Sequence, residues 1–323
     1  MNVLEKKIGE FEQGERVEGF YLIKSIICKV ANNSNKKYLD IILSDKTGEI
    51  SAKVWEVNDQ NENLYKTNEI VSVRGTVTNW QGSLQLKVER MRKTNENDEI
   101  VIDDYVKSAP IPSDVMYAQI MKFVENMKDN EIQILITALL EKDKEKLMYY
   151  PAAKRNHHSM KGGLLYHVLT MLQLGEKMCS IYDFLNTDLV YAGIILHDLA
   201  KIKEMSASEL GIVDEYTLEG TMLGHITQGI KELEVTGREL GIDSRKMMLL
   251  QHIILSHHFE PEYGSPVKPM FPEAEMVHYI DTIDARMYDM KKLITETKVG
   301  DFSERLWSID NRRIYNHGLG REE

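Results

Sequence analysis

The sequence predicts an α+β protein with two main parts, a small N-terminal β-barrel of five strands followed by an all-α helical bundle. Between residues 15 and 92, apolar or alternating stretches of strand length are separated by turn residues. From residue 113 onward, apolar residues recur at helical spacing instead. The length of 323 residues and the hydrophobic content of 42% suit a globular chain with two cores.

The predicted strands are short and closely spaced, with turns rich in Asn, Asp and Gly between them. They occupy residues 20–27, 38–43, 50–57, 70–77 and 84–88. A longer connection before the fourth strand is typical of a small Greek-key barrel, and the OB-fold is the best known barrel of this size.

An OB-fold that binds a single nucleic-acid strand needs aromatic platforms and scattered cations. Six such residues lie on the predicted strands or beside their turns: Tyr38, Lys53, Trp55, Arg74, Trp80 and Lys87. Aromatic residues also fill strands for packing reasons, and a Lys on a solvated face is ordinary, so a purely structural interpretation stays open.

The stretch between the two parts is polar and acidic and ends near Pro110 and Pro112. We interpret it as a linker, because neither a strand nor a helix continues through such a sequence. The sequence thus predicts a barrel over residues 1–92, a linker over 93–113, a helical domain over 114–300 and a C-terminal tail over 301–323.

Charge and cysteine content limit the partners and the cellular compartment that we expect for this protein. The formal net charge is −11, but residues 1–92 contain 14 Lys and Arg against 13 Asp and Glu, so the rest carries −12. Neither part has the basic stripe that would by itself indicate nucleic acid. With only Cys28 and Cys179, no signal-peptide core in residues 1–7 and no long apolar run, we expect a cytoplasmic protein without a membrane partner. The 17 Met leave room for an apolar face that forms a homo-oligomer.

The most informative stretch is residues 190–201, an apolar run that ends in His197 and Asp198. Burying an ionised carboxylate without a partner costs several kcal/mol, and a metal ion held by carboxylate and neutral imidazole offsets that cost. Taken alone, such a pair is more often an Asp that caps the next turn beside a satisfied core His.

The other histidines change that balance. Nine of the ten lie between residues 150 and 280, and apolar helical stretches there contain His167, His225, the pair His257-His258 and, on the last, Asp281. Unless these groups share one metal centre, five helices must each bury and satisfy a polar side chain independently. Helical bundles build metal sites from inward-pointing side chains of several helices.

The ordered set His167, His197-Asp198 with Lys201, His225, His257-His258 and Asp281 resembles the HD-domain metal-dependent phosphohydrolase superfamily. Joined to an OB-fold, and with Asn156-His-His-Ser, Gly162-Gly-Leu-Leu-Tyr-His and the tail Phe302-Ser-Glu-Arg-Leu-Trp-Ser-Ile-Asp-Asn-Arg, the chain resembles the YhaM-like 3′-to-5′ exoribonucleases of Gram-positive bacteria.

The resemblance implies a site for one or two divalent metal ions. His167, His197, Asp198 and Asp281 would hold the first, and His225, His257 and His258 would hold a second, with Asp198 bridging. Manganese is the favoured ion, with iron or cobalt also compatible, because the site is rich in His and carboxylate and has no thiolate. Phosphodiesterases of the HD-GYP type add a Glu ligand where this chain has Gly163, which counts against cleavage of cyclic dinucleotides.

Four residues are candidates for the chemistry itself. Asp198 and Lys201 carry over from the superfamily pattern, with Lys201 beside the attacked phosphate. His157 and His158 lie between a Pro break and a Gly-Gly turn, so we expect them at the pocket mouth, either contacting substrate or donating a proton, or else forming an ordinary surface pair.

The resulting hypothesis is a metal-dependent 3′-to-5′ exoribonuclease that degrades single-stranded RNA, and also single-stranded DNA, to 5′-mononucleotides. One alternative is an HD-domain phosphohydrolase that acts on free nucleotides. Another is a non-catalytic protein whose OB-fold binds nucleic acid.

Overall fold

The computed structural model describes residues 4–31, 36–55, 57, 63–154 and 158–319. The chain separates into two compact units, Met1–Lys107 and Ser108–Glu323. The first contains the barrel strands and the second contains the α-helices, as the sequence predicts.

The first unit is a closed barrel. Its strands are β1 Leu4–Glu5, β2 Arg16–Val30, β3 Lys37–Asp45, β4 Gly48–Trp55, β5 Ile70–Trp80 and β6 Ser83–Lys93. Strand β2 pairs with both β3 and β5, and β4 pairs in parallel with β6, so the sheet closes on itself with Greek-key connections. The predicted five-stranded barrel is confirmed, and the two-residue β1 adds to it beside β2.

Alternation along the strands separates the barrel interior from its surface. On β3, Leu39, Ile41 and Leu43 are at most 2% exposed, whereas Asp40 and Ile42 between them point outward. The same alternation holds on β5, where Val71, Val73 and Val77 are fully buried.

The residues that follow β6 pack against the barrel. Asp104 accepts a backbone hydrogen bond from Lys46 at 2.7 Å and forms ion pairs with Lys7 and Lys46. Arg92 binds Asp98 through both terminal nitrogens at 2.7 and 2.8 Å. Much of the stretch predicted to be a linker is therefore folded as part of the first unit.

The second unit is mainly helical over its described residues. Its helices are α1 Ser113–Glu125, α2 Asn130–Lys142, α3 Lys144–Leu147, α4 Gly163–Ile181, α5 Thr187–Leu196, α6 Lys201–Glu204, α7 Leu218–Leu240, α8 Ser244–Ser256 and α9 Pro272–Glu296. Two short strands, β7 Met205–Ala207 and β8 Val213–Tyr216, pair between α6 and α7. The sequence did not predict this hairpin, because strands of three and four residues are too short to show a period.

Helix α5 is the centre of the helical domain. Asn186 caps its first turn by accepting the backbone N–H of Leu189, and Val190, Ala192 and Ile194 are fully buried. It packs against α4, α8 and α9, so its C-terminal end, where His197 and Asp198 follow, lies inside the domain.

After α9 the chain folds back on itself. Isolated bridges pair Phe302 with Tyr315 and Leu306 with Arg312, and a short 3₁₀ turn, Trp307–Ile309, lies between them. No helix within the described ranges is long and apolar enough to cross a membrane.

Candidate metal centre and nucleic-acid interface

Backbone carbonyls orient three imidazoles of the helical domain. The Nδ1 atoms of His197, His257 and His258 donate to the carbonyl oxygens of Ile194, Ile254 and Tyr263 at 2.7, 2.8 and 2.5 Å. A carbonyl only accepts, so in each ring the proton is on Nδ1 and the lone pair is on Nε2. Each ring thus presents the atom that binds a metal.

Carboxylates orient the other two imidazoles. Asp284 lies 2.8 Å from Nδ1 of His167, and Glu204 lies 3.0 Å from Nδ1 of His225. Glu204 also accepts the backbone N–H of His225 at 3.0 Å. Carboxylates that hold the second nitrogen of a metal-binding His fix its orientation and raise its basicity.

These side chains converge on the carboxylate of Asp198. Its Oδ2 lies 3.4 Å from Nε2 of His197 and 3.8 Å from Nε2 of His167, and its Oδ1 lies 3.4 Å from Nε2 of His225 and 3.9 Å from Nε2 of His257. Each oxygen of Asp198 thus faces a different group of imidazoles.

Two further side chains complete the arrangement. Asp281 Oδ1 lies 3.2 Å from Nε2 of His167, which adds a second carboxylate beside the first group. His258 joins Asp198, His225 and His257 in a group whose ligand atoms lie within 4.8 Å of one another. The seven residues predicted as ligands therefore lie together in space.

Unpaired buried atoms show that a cation fits this cluster. Within the described part of the chain, Nε2 of His197, His225 and His257 and Oδ1 of Asp198 are buried without a hydrogen-bond partner. Buried polar atoms are rarely left so, because each costs the free energy of its lost hydration. A donor set of imidazole nitrogens and carboxylate oxygens without thiolate suits Mn, Fe or Co.

The protonation states of His257 and Asp198 agree with such a cluster, whereas that of His167 does not. Burial and the neighbouring His258 lower the pKa of His257 well below its ordinary value, so the ring is neutral at pH 7. Burial raises the pKa of the Asp198 carboxyl, but Lys201 and His197 outweigh it and hold the pKa well below its usual range. For His167, burial lowers the pKa, but the hydrogen bonds to Asp281 and Asp284 raise it to about 9, so a metal ion would have to displace a proton there.

Lys201 lies directly beside the cluster. Its Nζ is 2.6 Å from Oδ2 of Asp198, and its side chain is 12% exposed. Lys201 begins α6 three residues after Asp198, and its ammonium also lines the cleft described below.

His158 does not lie at the pocket mouth. It is 1% exposed, its Nε2 lies 2.8 Å from Asp284, and its ring packs 4.2 Å from the ring of Tyr288. The prediction that His158 contacts substrate at the pocket mouth is therefore corrected, because its ring is buried and contacts the carboxylate of Asp284 instead. His157 lies outside the described residues.

Glu204 was not predicted to take part in the site, and for Asp284 the sequence left open whether it supports a ligand from behind or is solvated. A signal for Asp284 was present, since it follows Asp281 by three residues and so shares its helical face. Glu204 had no comparable signal, because its contact with His225 crosses from α6 to α7.

Two glycines shape the site. Gly224 has φ +67° and ψ 164°, which breaks α7 immediately before His225 and re-aims the chain. A Cβ at Gly163 would lie 2.0 Å from the carbonyl oxygen of His158. The Glu ligand of the HD-GYP type therefore has no room at that position.

A cleft of about 580 Å³ opens over the cluster. Asp198, Lys201 and Asp281 line its inner end, and Arg286 and Trp307 line it as well. It lies within the size range of small-molecule sites.

Four of the six barrel residues predicted to bind nucleic acid lie close together. Tyr38 and Trp55 stack at 4.8 Å across β3 and β4, and Lys53 and Lys87 are cross-strand neighbours close by on the same outer face. Lys53 also forms an ion pair with Asp40.

The other two barrel residues lie elsewhere. Arg74 lies on the β2–β5 side of the barrel, where both Nε and Nη2 donate to Glu18, at 2.9 and 2.7 Å. Trp80 lies at the β5–β6 turn and is 64% exposed. The first four residues therefore form the stronger candidate interface.

Comparison with known families agrees with both folds. Residues 164–286 match the model of the HD domain, and residues 22–94 match a model described as an OB-fold nucleic acid binding domain. The predicted fold class, an OB-fold barrel followed by a helical HD domain, is confirmed.

Three solved structures that resemble this chain are distant from it in sequence. The second OB-fold domain of replication protein A from Methanococcus maripaludis is 18% identical to this chain, with a TM-score of 0.24. The match covers 29% of this chain and 98% of that domain. A replication protein A heterotrimer bound to ssDNA is 19% identical, with 28% and 64% covered and a TM-score of 0.21. The replication factor A related protein from Methanobacterium thermoautotrophicum is 14% identical, with 29% and 94% covered and a TM-score of 0.24. At these TM-scores, no conclusion about function follows.

Proposed function

We propose that this chain, in which an HD domain typical of metal-dependent phosphohydrolases follows a nucleic-acid-binding OB fold, is a 3′-to-5′ exoribonuclease. Its substrate is single-stranded RNA, with single-stranded DNA also accepted, and its products are 5′-mononucleotides. The observation that carries the proposal is the convergence of buried, preoriented imidazoles on the two oxygens of Asp198 at the inner end of a cleft.

The ligands divide into two groups around Asp198. His167, His197 and Asp281 would hold one ion with Oδ2 of Asp198, and His225, His257 and His258 would hold a second with Oδ1. Divalent ions bound there would lower the pKa of water and would place positive charge beside a phosphate. Manganese is the ion that we propose, and iron or cobalt are also compatible with ligands that combine nitrogen with carboxylate oxygen.

The chain's own groups prepare the site for a phosphodiester. Lys201 places a buried ammonium beside Asp198, where it offsets negative charge on the attacked phosphate. Asp284 and Glu204 hold the rings of His167 and His225, so the ligand atoms need little reorganisation when an ion binds. The burial of His197 and His257 limits access by bulk water from behind the cluster.

The barrel would hold the strand while its end is processed. Tyr38 and Trp55 offer stacked aromatic faces, and Lys53 and Lys87 add positive charge on the same side. Stacking tolerates any base, which suits an enzyme that removes nucleotides in succession.

A time course on a 5′-labelled single-stranded oligoribonucleotide with Mn²⁺ tests the proposal. We expect stepwise shortening from the 3′ end, release of 5′-mononucleotides, and no shortening of a circular RNA. Asp198→Asn should abolish the reaction, whereas Asp183→Asn, at an exposed acidic residue outside the cluster, should leave it unchanged.

Other outcomes would favour the alternatives. Turnover of free nucleotides with oligomers left intact would indicate a nucleotide phosphohydrolase. Oligonucleotide binding that survives both chelation and Asp198→Asn, with no product from the parent chain, would indicate a non-catalytic binding protein.

A further inference from the structure

The C-terminal segment, residues 298–319, contributes part of the lining of the cleft over the cluster. Trp307, Ser308 and Asp310 line it together with Arg286 of α9. None of the predicted metal ligands lies in this segment, so metal binding does not explain why it lines the cleft.

The segment is pinned at several points. Ile309 is fully buried, Ser308 Oγ donates to Asp289 at 2.5 Å, and Arg286 forms an ion pair with Asp310. Asp310 and Asn311 have left-handed backbones, with φ of +63° and +54°, which L residues seldom adopt. These contacts hold the turn in one conformation.

Trp307 is the large aromatic residue of this pinned turn, and 61% of its surface is exposed. An indole on a loose tail would sample many positions, but this one is adjacent in sequence to the anchored Ser308. A large aromatic face is thus kept in water at a fixed place along the cleft. Another part of the lining is also aromatic, since Phe259 stacks at 4.8 Å on His278.

We propose that Trp307 is the stacking platform for the base of the terminal nucleotide, while the phosphate of that nucleotide lies beside Asp198 and Lys201. The ligand class is any nucleobase, since stacking on an indole requires only a π-face. A cleft of about 580 Å³ has room for one nucleotide and leads directly to the cluster. This inference rests on the proposed function and adds the subsite that receives the strand's end.

The test compares Trp307→Ala and Trp307→Phe with the parent chain on two oligoribonucleotides, one ending in adenosine and one ending in an abasic ribose. For the parent, loss of the base should raise KM by about 10-fold. Trp307→Ala should raise KM about as much on the adenosine substrate and no further on the abasic one, while Trp307→Phe should keep most of the preference. Independent, multiplying penalties would overturn the proposal.

The matched control is Phe184→Ala, which removes an aromatic ring that is 69% exposed and does not line the cleft. It should leave KM for both substrates unchanged. Metal content and the melting temperature should be the same in all variants, so that a raised KM is not a consequence of a damaged centre.

A binding measurement decides the matter even if oligonucleotides are not cleaved. Calorimetry with the Mn²⁺-loaded chain compares AMP with ribose 5-phosphate, which lacks the base. The parent should prefer AMP by about 10-fold, and Trp307→Ala should lose that preference. A parent without the preference, or a variant that keeps it, overturns the subsite, whereas absent cleavage with an intact preference overturns only the nuclease proposal.

Discussion

The barrel and the helical domain differ in where their ionisable side chains lie. Those of the barrel pair at the surface, whereas those of the metal cluster are buried together. In the barrel, Arg74 pairs with Glu18 and Arg16 with Glu89 at a partly exposed surface, where water screens each pair and its contribution is small. In the helical domain, Asp198 and His257 are at most 2% exposed. Burial and His258 lower the pKa of His257, and Lys201 and His197 hold that of Asp198 low against its burial. A substitution in a pair of the first kind affects that pair alone, whereas a substitution of the second kind also changes the neighbouring groups of the cluster.

Of all the changes considered, removal of divalent cations should give the largest difference in response between the helical domain and the barrel. Chelation should reduce hydrolysis by roughly 10³-fold or more, because the ions supply several kcal/mol of transition-state stabilisation. The melting temperature of the helical domain should fall as well, since bound ions stabilise the folded state by mass action, while that of the barrel stays unchanged. Calorimetry and an oligonucleotide assay measure the two effects, and equal shifts in both domains would contradict the contrast.

Asp284→Ala should give the next largest effect. Asp284 holds both His167 and His158, and removal of such a supporting carboxylate lowers metal affinity by about 10- to 100-fold. Metal titration followed by elemental analysis measures the change. Asp183→Ala is the control at an exposed position, and an unaltered metal affinity would show that Asp284 serves only the packing of α9.

Trp55→Ala should weaken binding of a single strand by about 5- to 10-fold, because one stacking face of the barrel is lost. Fluorescence anisotropy with a labelled oligonucleotide under chelation isolates this effect from hydrolysis. Val101→Ala, which trims an exposed apolar side chain outside the stack, should change nothing. An equal loss in both variants would remove Trp55 from the interface.

Asp98→Asn should give the smallest effect and one that depends on pH. The hydrogen bonds from Arg92 lower the pKa of Asp98 to about 2, below its unfolded value of about 3.9. A depressed carboxyl pKa stabilises the fold fully above the unfolded value and loses that contribution as the pH falls toward 2. Barrel melting temperatures should therefore differ slightly between parent and variant above pH 4 and converge below it, and a constant difference would contradict this cause.

Strands and helices were predicted correctly where the hydrophobic pattern extends over many residues. Alternation around Leu39, Ile41 and Leu43 and the apolar run of α5 were each visible without coordinates. The hairpin of β7 and β8 was missed because its strands are too short to show an alternating pattern. The packing of residues 94–107 on the barrel was missed because it depends on contacts between distant residues, such as that of Asp104 with Lys46.

The sequence by itself determined the two fold types and the residue types of the cluster, because hydrophobic periods and paired His and Asp are local properties of the chain. Only the tertiary structure decided which nitrogen each imidazole turns toward Asp198, that His158 is buried beneath Asp284, and that Trp307 lines the cleft. These outcomes depend on hydrogen bonds and packing between segments far apart in the chain, and no local pattern encodes them.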